Sequence, residues 1–236
     1  MSDILDVYSR NARLYPALLV LLPLALAIAV LYPSFYTVLA GFVGIAVACG
    51  VTFFLAQVAR QRGRRLEKEL FEKWGGKPTA LLLSHKHTTI DQHTLLRYHT
   101  FLERRVPNWA APTIEFEDLN PIESALVYDS AVRWLLGFTR DIEKYPLVFK
   151  ENISYGFRRN LLGLKSVGLF LSFSIFLSDV SFSFFAIDQS LVREFVVALS
   201  SGLAVLIWVF VIDEDWVLES ANAYGNALLE ACDRAD

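Results

Sequence analysis

The chain has 236 residues, of which 54% are hydrophobic and 20% are charged, and its formal net charge is −3. A mean hydropathy of +0.40 argues against an ordinary soluble domain and against a disordered chain. Two cysteines are too few to indicate a disulfide-stabilised framework.

Four apolar segments dominate the pattern, and the stretch from residue 14 to residue 59 has no charged side chain at all. A bilayer core about 30 Å thick requires about 20 mostly apolar residues in a spanning helix. The first segment is too long, and is followed too soon by the second, for a cleaved signal peptide. We therefore predict four transmembrane helices, at residues 14–32, 35–59, 161–177 and 195–212.

Lysine and arginine set the expected orientation. Six follow the second span between residues 60 and 73, four lie between 150 and 165, and the loop between spans three and four has only Arg193. By the positive-inside rule, the central block and both termini are cytoplasmic. The predicted class is an all-α membrane protein with a mainly helical cytoplasmic domain inserted between spans two and three. Its predicted parts are residues 1–60, 61–160, 161–212 and 213–236.

The second span is expected to continue as one helix over residues 35–74 and to end at Gly75-Gly76, before Pro78. Residues 79–83 are ambiguous. A further helix is predicted from about Thr89 to about Arg105, with residue 91 in its first turn, and residues 107–112 form a loop.

Asn120 and Pro121 are typical of a helix start, and that helix is expected to end near Thr139. Residues 141–160 lead into span three. The final helix opens at residue 213, and its apolar face packs either on its own domain or on another subunit. That face is formed by Val217, Ala221, Tyr224, Leu228 and Ala231.

All four histidines fall within fifteen residues, together with an aspartate: His85, His87, Asp91, His93 and His99. Such clustering resembles a metal site, but the six-residue spacing of the last two puts them on different helix faces. The favoured alternative is solvated or ligand-contacting histidines beside Lys86 and Arg97. No nucleotide-binding loop, zinc-protease helix or Cys-x-x-Cys pattern occurs, so we expect neither an enzyme nor a cofactor.

The cytoplasmic block is mildly basic, because residues 60–160 contain 17 Lys and Arg against 13 Asp and Glu. Aromatic residues alternate with the basic ones, a pattern that suits single-stranded nucleic acid through stacking and phosphate contacts. The alternative is a set of snorkelling arginines and interfacial aromatics.

Polar residues in the last two spans are candidates either for helix packing or for a pore. Ser174 and Ser178 share a helix face. Asp179 lies at the outer mouth if span three starts at Leu161, but inside the membrane if it starts at Ser166.

Four spans do not easily enclose an ion pathway, but a ring of subunits does. Rings of carboxylates concentrate cations at pore mouths. The sequence favours a homo-oligomeric, cation-preferring channel, with Ser201 in the pore and with Asp213 and Asp215 at the cytoplasmic mouth.

Three segments carry a family resemblance: residues 74–79 (WGGKPT), 97–99 (RYH) and 151–160 (ENISYGFRRN). In these the chain resembles the membrane effectors (HalA) of the Hailong anti-phage defence system. The resemblance implies an ion channel of the bacterial inner membrane, multi-pass, whose cytoplasmic crown binds single-stranded oligodeoxyadenylate. It also implies that a partner nucleotidyltransferase makes this DNA and that bound DNA keeps the channel shut.

Ligand contacts are assigned from side-chain chemistry rather than from the family. The expected set is Trp74, Lys77, His85, Lys86, His87, Arg97, His99, Arg140, Arg158 and Arg159. The expected assembly is a homo-oligomer, with a tetramer as one candidate. The alternatives are a membrane-anchored metal-dependent enzyme that uses the histidines between His85 and His99, and a structural membrane scaffold.

Overall fold

A computed structural model describes residues 7–31, 42–185 and 191–234. Every regular element in these ranges is helical, which confirms the all-α class. After a π-helical turn at Arg10–Leu14, the helices are α1 (Tyr15–Leu31), α2 (Phe42–Lys73), α3 (Pro78–Leu82), α4 (Gln92–Arg105), α5 (Ile114–Leu119), α6 (Pro121–Phe138), α7 (Pro146–Gly163), α8 (Lys165–Phe185), α9 (Leu191–Phe210) and α10 (Glu214–Glu230).

The chain divides into two compact units. The first, here called the span unit, comprises Met1–Glu67 and Gly156–Trp216. The second, here called the insert unit, comprises Lys68–Tyr155 and Val217–Asp236. The insert unit therefore holds most of the charged central block together with most of the C-terminal helix.

Two described helices are long and apolar enough to cross a membrane, at Val7–Leu31 and Val192–Phe210. A third candidate is the pair Pro146–Gly163 and Lys165–Ser181, which is bent by 57° at a short break. The described residues thus contain two to three candidate spans, consistent with a membrane protein. The predicted span at residues 35–59 begins outside the described part of the chain, and its described portion belongs to α2.

The helix boundaries differ from the sequence prediction at spans one and three. The first helix begins at Val7 instead of residue 14, because a π-helical turn continues it through Arg10 and Arg13. The expected continuous span from Leu161 is interrupted at Leu164, where Leu164 N donates to Leu161 O at 2.9 Å. The apolar helix α8 therefore starts close to the alternative start that the sequence left open.

In the span unit, helices α1, α8 and α9 pack against one another. Its buried cluster is Val20, Ala59, Leu161, Leu164, Trp208 and Ile212. Two glycines allow α2 and α7 to approach closely, since a Cβ at Gly163 would lie 2.8 Å from the backbone nitrogen of Gly63. At the same crossing, the fully buried Asn160 donates from Nδ2 to Ala12 O at 2.6 Å. This amide links the N-terminal helix to α7.

The predicted end of α2 at Gly75-Gly76 is confirmed. Gly75 has a φ of +79°, and the amides of Gly75 and Gly76 donate to Glu72 O and Phe71 O at 3.3 and 2.8 Å. This is the Schellman arrangement, in which a glycine takes the left-handed conformation that L side chains rarely adopt.

Helix α4 starts three residues later than predicted, because Asp91 acts as its N-cap and accepts from the amides of His93 and Thr94. Helix α5, capped by Thr113, was not predicted. Helix α6 starts at Pro121 as predicted, although the Asn120 side chain makes no capping hydrogen bond.

The core of the insert unit joins α3, α4, α6 and the C-terminal helix. Leu228 and Leu229 are fully buried in it, together with Leu82, Leu102 and Leu135. The predicted packing of the C-terminal helix on its own domain is therefore confirmed at Leu228 and at Ala231, which is buried in the same core. Its use as a subunit contact stays a prediction.

Candidate functional site

A cavity of about 440 Å³ lies in the insert unit, between the Gly75-Gly76 turn, α3 and the start of α6. This volume is within the range of small-molecule sites, which are usually apolar with a few polar groups. Ala80, Leu81 and Ala125 are among the apolar lining residues. The polar lining side chains are Lys77, Ser84, Lys86, His87, Glu117, Ser124, Tyr128 and Asp129.

Glu117 stabilises one wall of this pocket through hydrogen bonds. It is only 3% exposed and accepts hydrogen bonds from Ser84 Oγ at 3.0 Å, from the His85 amide at 3.1 Å and from the Tyr128 hydroxyl. Burial, followed by the bond to Glu117, raises the pKa of Tyr128, so this hydroxyl stays protonated and donates. The carboxylate thus fixes the residues 84–85 turn against α5 and α6.

Two lysines stand at the pocket, and both are ion-paired. Lys77 Nζ lies 2.5 Å from Asp129 Oδ1, and the second oxygen of this carboxylate is 3.0 Å from Arg133. Lys86 pairs with the exposed Asp118 at 2.9 Å. Because the Lys77 side chain is 43% exposed, a bound anion has access to its remaining hydrogen-bond donors.

Two polar atoms in the pocket wall are buried without a hydrogen-bond partner among the described residues. They are Ser124 Oγ, on a residue that is 3% exposed, and His87 Nδ1. Buried polar atoms in folded proteins are nearly always paired, so these two atoms depart from the usual pattern. The sequence missed Ser124 and Glu117, since no local pattern distinguishes them from other polar residues of helices.

The predicted ligand residues are divided by the structure. Lys77, Lys86 and His87 line the pocket. Trp74 directly precedes the Gly75-Gly76 turn and lies half-buried against Phe71, with ring centroids 6.1 Å apart.

Four other predicted ligand residues do not line the pocket. His99 is 3% exposed and lies in the protein core, where Nε2 contacts Leu83 O at 2.8 Å. His85 is exposed and meets Pro112 O at 3.1 Å through Nε2. Arg97 and Arg140 are exposed, and Arg97 pairs with Asp233 at 3.2 Å.

Arg158 and Arg159 belong to the span unit, and each contacts a residue of that unit. Arg159 forms an ion pair with Glu67 at 2.5 Å. Arg158 donates to Trp216 O at 2.8 Å, and its guanidinium carbon lies 4.9 Å from the centre of the Trp216 ring. These contacts give both arginines a structural role that the sequence pattern did not indicate.

The histidine cluster does not form a metal site in the described part of the chain. No group of three His, Cys, Asp or Glu side chains there is arranged to hold a metal ion. His85 and His99 meet edge to face, with ring centroids 5.0 Å apart, and each directs Nε2 to a backbone carbonyl.

The predicted pore residues fall into exposed and buried groups in the single chain. Ser178 and Asp215 are exposed, Ser174 is half-buried, and Asp179 is 6% exposed. Ser201 is fully buried and donates to Val197 O at 2.7 Å. Asp213 is half-buried and caps the C-terminal helix by accepting from Trp216 N at 2.8 Å.

No protein-family model, curated protein or solved structure matches this chain. The functional assignment therefore depends on the chemistry of the pocket, on the apolar helices and on the resemblance noted above.

Proposed function

We propose that this protein is a ligand-gated, homo-oligomeric ion-channel effector of bacterial anti-phage defence in the inner membrane. In this proposal it has four spans and both termini in the cytoplasm. The single observation that carries it is the insert-unit pocket, whose lining includes Lys77 and two residues, His87 and Ser124, that each have a buried, unpaired polar atom. The apolar helices of the span unit support a membrane role.

The proposed ligand is a single-stranded oligodeoxynucleotide. Apolar walls suit the face of a base, and recognition of unstacked bases uses hydrogen bonds to their edges. Ser124 Oγ and His87 Nδ1 would supply such bonds. Lys77 and Lys86 would contact phosphates at the mouth of the pocket, where both are partly exposed.

Gating follows from linkage between ligand and conformation. A ligand that binds the closed state more tightly shifts the population toward closed, and its loss opens the pore. Opening would depolarise the membrane of the infected cell. The ring of subunits would place exposed polar residues such as Ser178 and Asp215 at the ion pathway.

The test begins with protein purified in detergent from cells that contain its neighbouring genes. We expect an absorbance ratio at 260 and 280 nm above that of protein alone, and short DNA in mass spectra after denaturation. Protein from these cells without any nucleic acid would refute the DNA ligand. Absence of current in planar bilayers, with and without ligand, would refute the channel.

A filled pocket provides the matched variant. Ala125 lines the pocket and is exposed, so Ala125→Trp should block the ligand without disturbing the core. Ile122 is 80% exposed on the same helix and is not a lining residue, so Ile122→Trp is the control. We expect Ala125→Trp to lose the DNA and to be toxic without infection, while Ile122→Trp behaves as wild type.

A further inference from the structure

A second cavity, of about 330 Å³, lies in the span unit between α1 and α9. The lining residues of α1 lie on one face of that helix, and the lining residues of α9 lie on one face of α9, as their spacing shows. Its walls are almost entirely apolar and include Leu19, Leu22, Leu26, Leu203, Ala204 and Ile207. The one polar lining side chain, Ser200, donates to Val197 O at 3.1 Å and so presents little unsatisfied polarity.

The dimensions of this groove suit one lipid chain. From Ser200 to the end of α9 at Phe210 is about 15 Å at 1.5 Å per residue, and the lining continues to Ile212 just beyond. One leaflet contributes half of a hydrocarbon core about 30 Å thick. A transmembrane helix from a second copy would run the whole thickness, whereas this groove has the length of a single leaflet.

One end of the groove is cationic. Ile212 lines this end, and its carbonyl accepts a hydrogen bond from Lys165 Nζ at 2.6 Å. Ser166, which follows Lys165 in the chain, accepts a hydrogen bond from Arg62 Nη1 at 3.2 Å. The Arg62 side chain is exposed. Lys165 thus contacts this end of the groove directly, and Arg62 contacts the residue that follows Lys165.

We propose that this groove binds one acyl chain of an anionic phospholipid, with its phosphate beside Arg62 and Lys165. Buried methylenes supply affinity, and juxtamembrane basic residues supply preference for negative headgroups. The groove shares no lining residue with the insert-unit pocket.

The proposal is tested by tryptophan quenching with brominated lipids in detergent micelles. Trp208 lines the groove, and bromine on an acyl chain quenches indole fluorescence on close approach. We expect saturable quenching by brominated phosphatidylglycerol at lower concentrations than by brominated phosphatidylcholine. The saturable component of the quenching should disappear in Trp208→Phe. This variant separates the Trp208 signal from that of the other four tryptophans of the chain.

Variants separate the apolar and charged parts. Ala204→Phe fills the groove and should abolish the saturable component, while Leu206→Phe, at an exposed position outside it, should not. Arg62→Gln should weaken phosphatidylglycerol binding about five-fold, the effect of one basic residue near the headgroups. Arg64→Gln, which is exposed on a different face of the same helix, is the matched control.

Three results would overturn the proposal. They are equal quenching by the two lipids, saturable quenching that survives Ala204→Phe, and cross-linked dimers through Leu22→Cys that phosphatidylglycerol does not diminish. The last would assign the groove to a second copy of the chain. If Ala204→Phe does not elute as a single species, Leu22→Phe obstructs the groove from an exposed position on α1 without adding a tryptophan to the quenching signal.

Discussion

Gly168 is a position where one added methyl group should destabilise the span unit. A Cβ there would lie 2.2 Å from both Cε2 and Cζ2 of Trp208, whose side chain is 4% exposed. The ring packs in a buried cluster with Leu161 and Ile212, so moving it toward the groove sacrifices those contacts. Overpacking of this kind costs about 3 kcal/mol at its upper end. Alanine has a helix propensity about 1 kcal/mol more favourable than that of glycine, so the net loss of stability is about 2 kcal/mol.

The loss should be visible as an apparent melting temperature in detergent, measured by fluorescence-detected gel filtration after heating. About 2 kcal/mol corresponds to a decrease of about 4–8 °C for a chain of this size. Gly50→Ala is the control, since its Cβ would meet nothing within 4 Å. In the double variant Gly168→Ala with Trp208→Leu, the loss of stability should be smaller than the sum of the two single losses by about 1–2 kcal/mol. A Gly168→Ala protein that melts at or above the wild-type temperature would refute the reasoning.

Three further predictions concern charged and hydrogen-bonded groups. Arg159→Glu should lower stability by about 2 kcal/mol through its contact with Glu67, and the reciprocal swap Glu67→Arg should recover at least half in the same melting assay. Tyr128→Phe removes a donor to the buried Glu117 and should cost about 1–2 kcal/mol, measured by urea unfolding followed by fluorescence. Burial lowers the pKa of His99 below its ordinary 6.5, so stability should fall as pH drops from 7 to 5, and His99→Gln should flatten that slope.

Local chemistry explains which parts of the fold were predictable from sequence. The end of α2 at Gly75-Gly76 was predicted because only glycine adopts such a turn easily, and Pro121 marked a helix start for a similarly local reason. The break at Leu164 was not predicted. It lies beside the close approach of two glycines about 100 residues apart in sequence, which no local pattern reveals.

The candidate site was only partly predictable, for the same reason. Lys77 and His87 were predicted as ligand contacts because cationic side chains and imidazoles cluster between residues 77 and 99. Ser124 and Glu117 become informative only through their burial, which depends on how α5 and α6 pack. Conversely, Arg159 has the side chain of a phosphate ligand, yet the structure pairs it with a carboxylate.

The ion pairs of the pocket also constrain how a nucleic acid would bind there. The pocket has two lysines, Lys77 and Lys86, and each already has a carboxylate partner, so at most two phosphates are neutralised there. For single strands the slope of log K against log salt is about −0.7 per neutralised phosphate, so we expect a slope no steeper than about −1.4. Titration of the purified protein with short oligodeoxynucleotides between low and high salt measures it. A slope near −4 would indicate a long electrostatic groove elsewhere on the protein, and would remove the pocket from the role proposed for it.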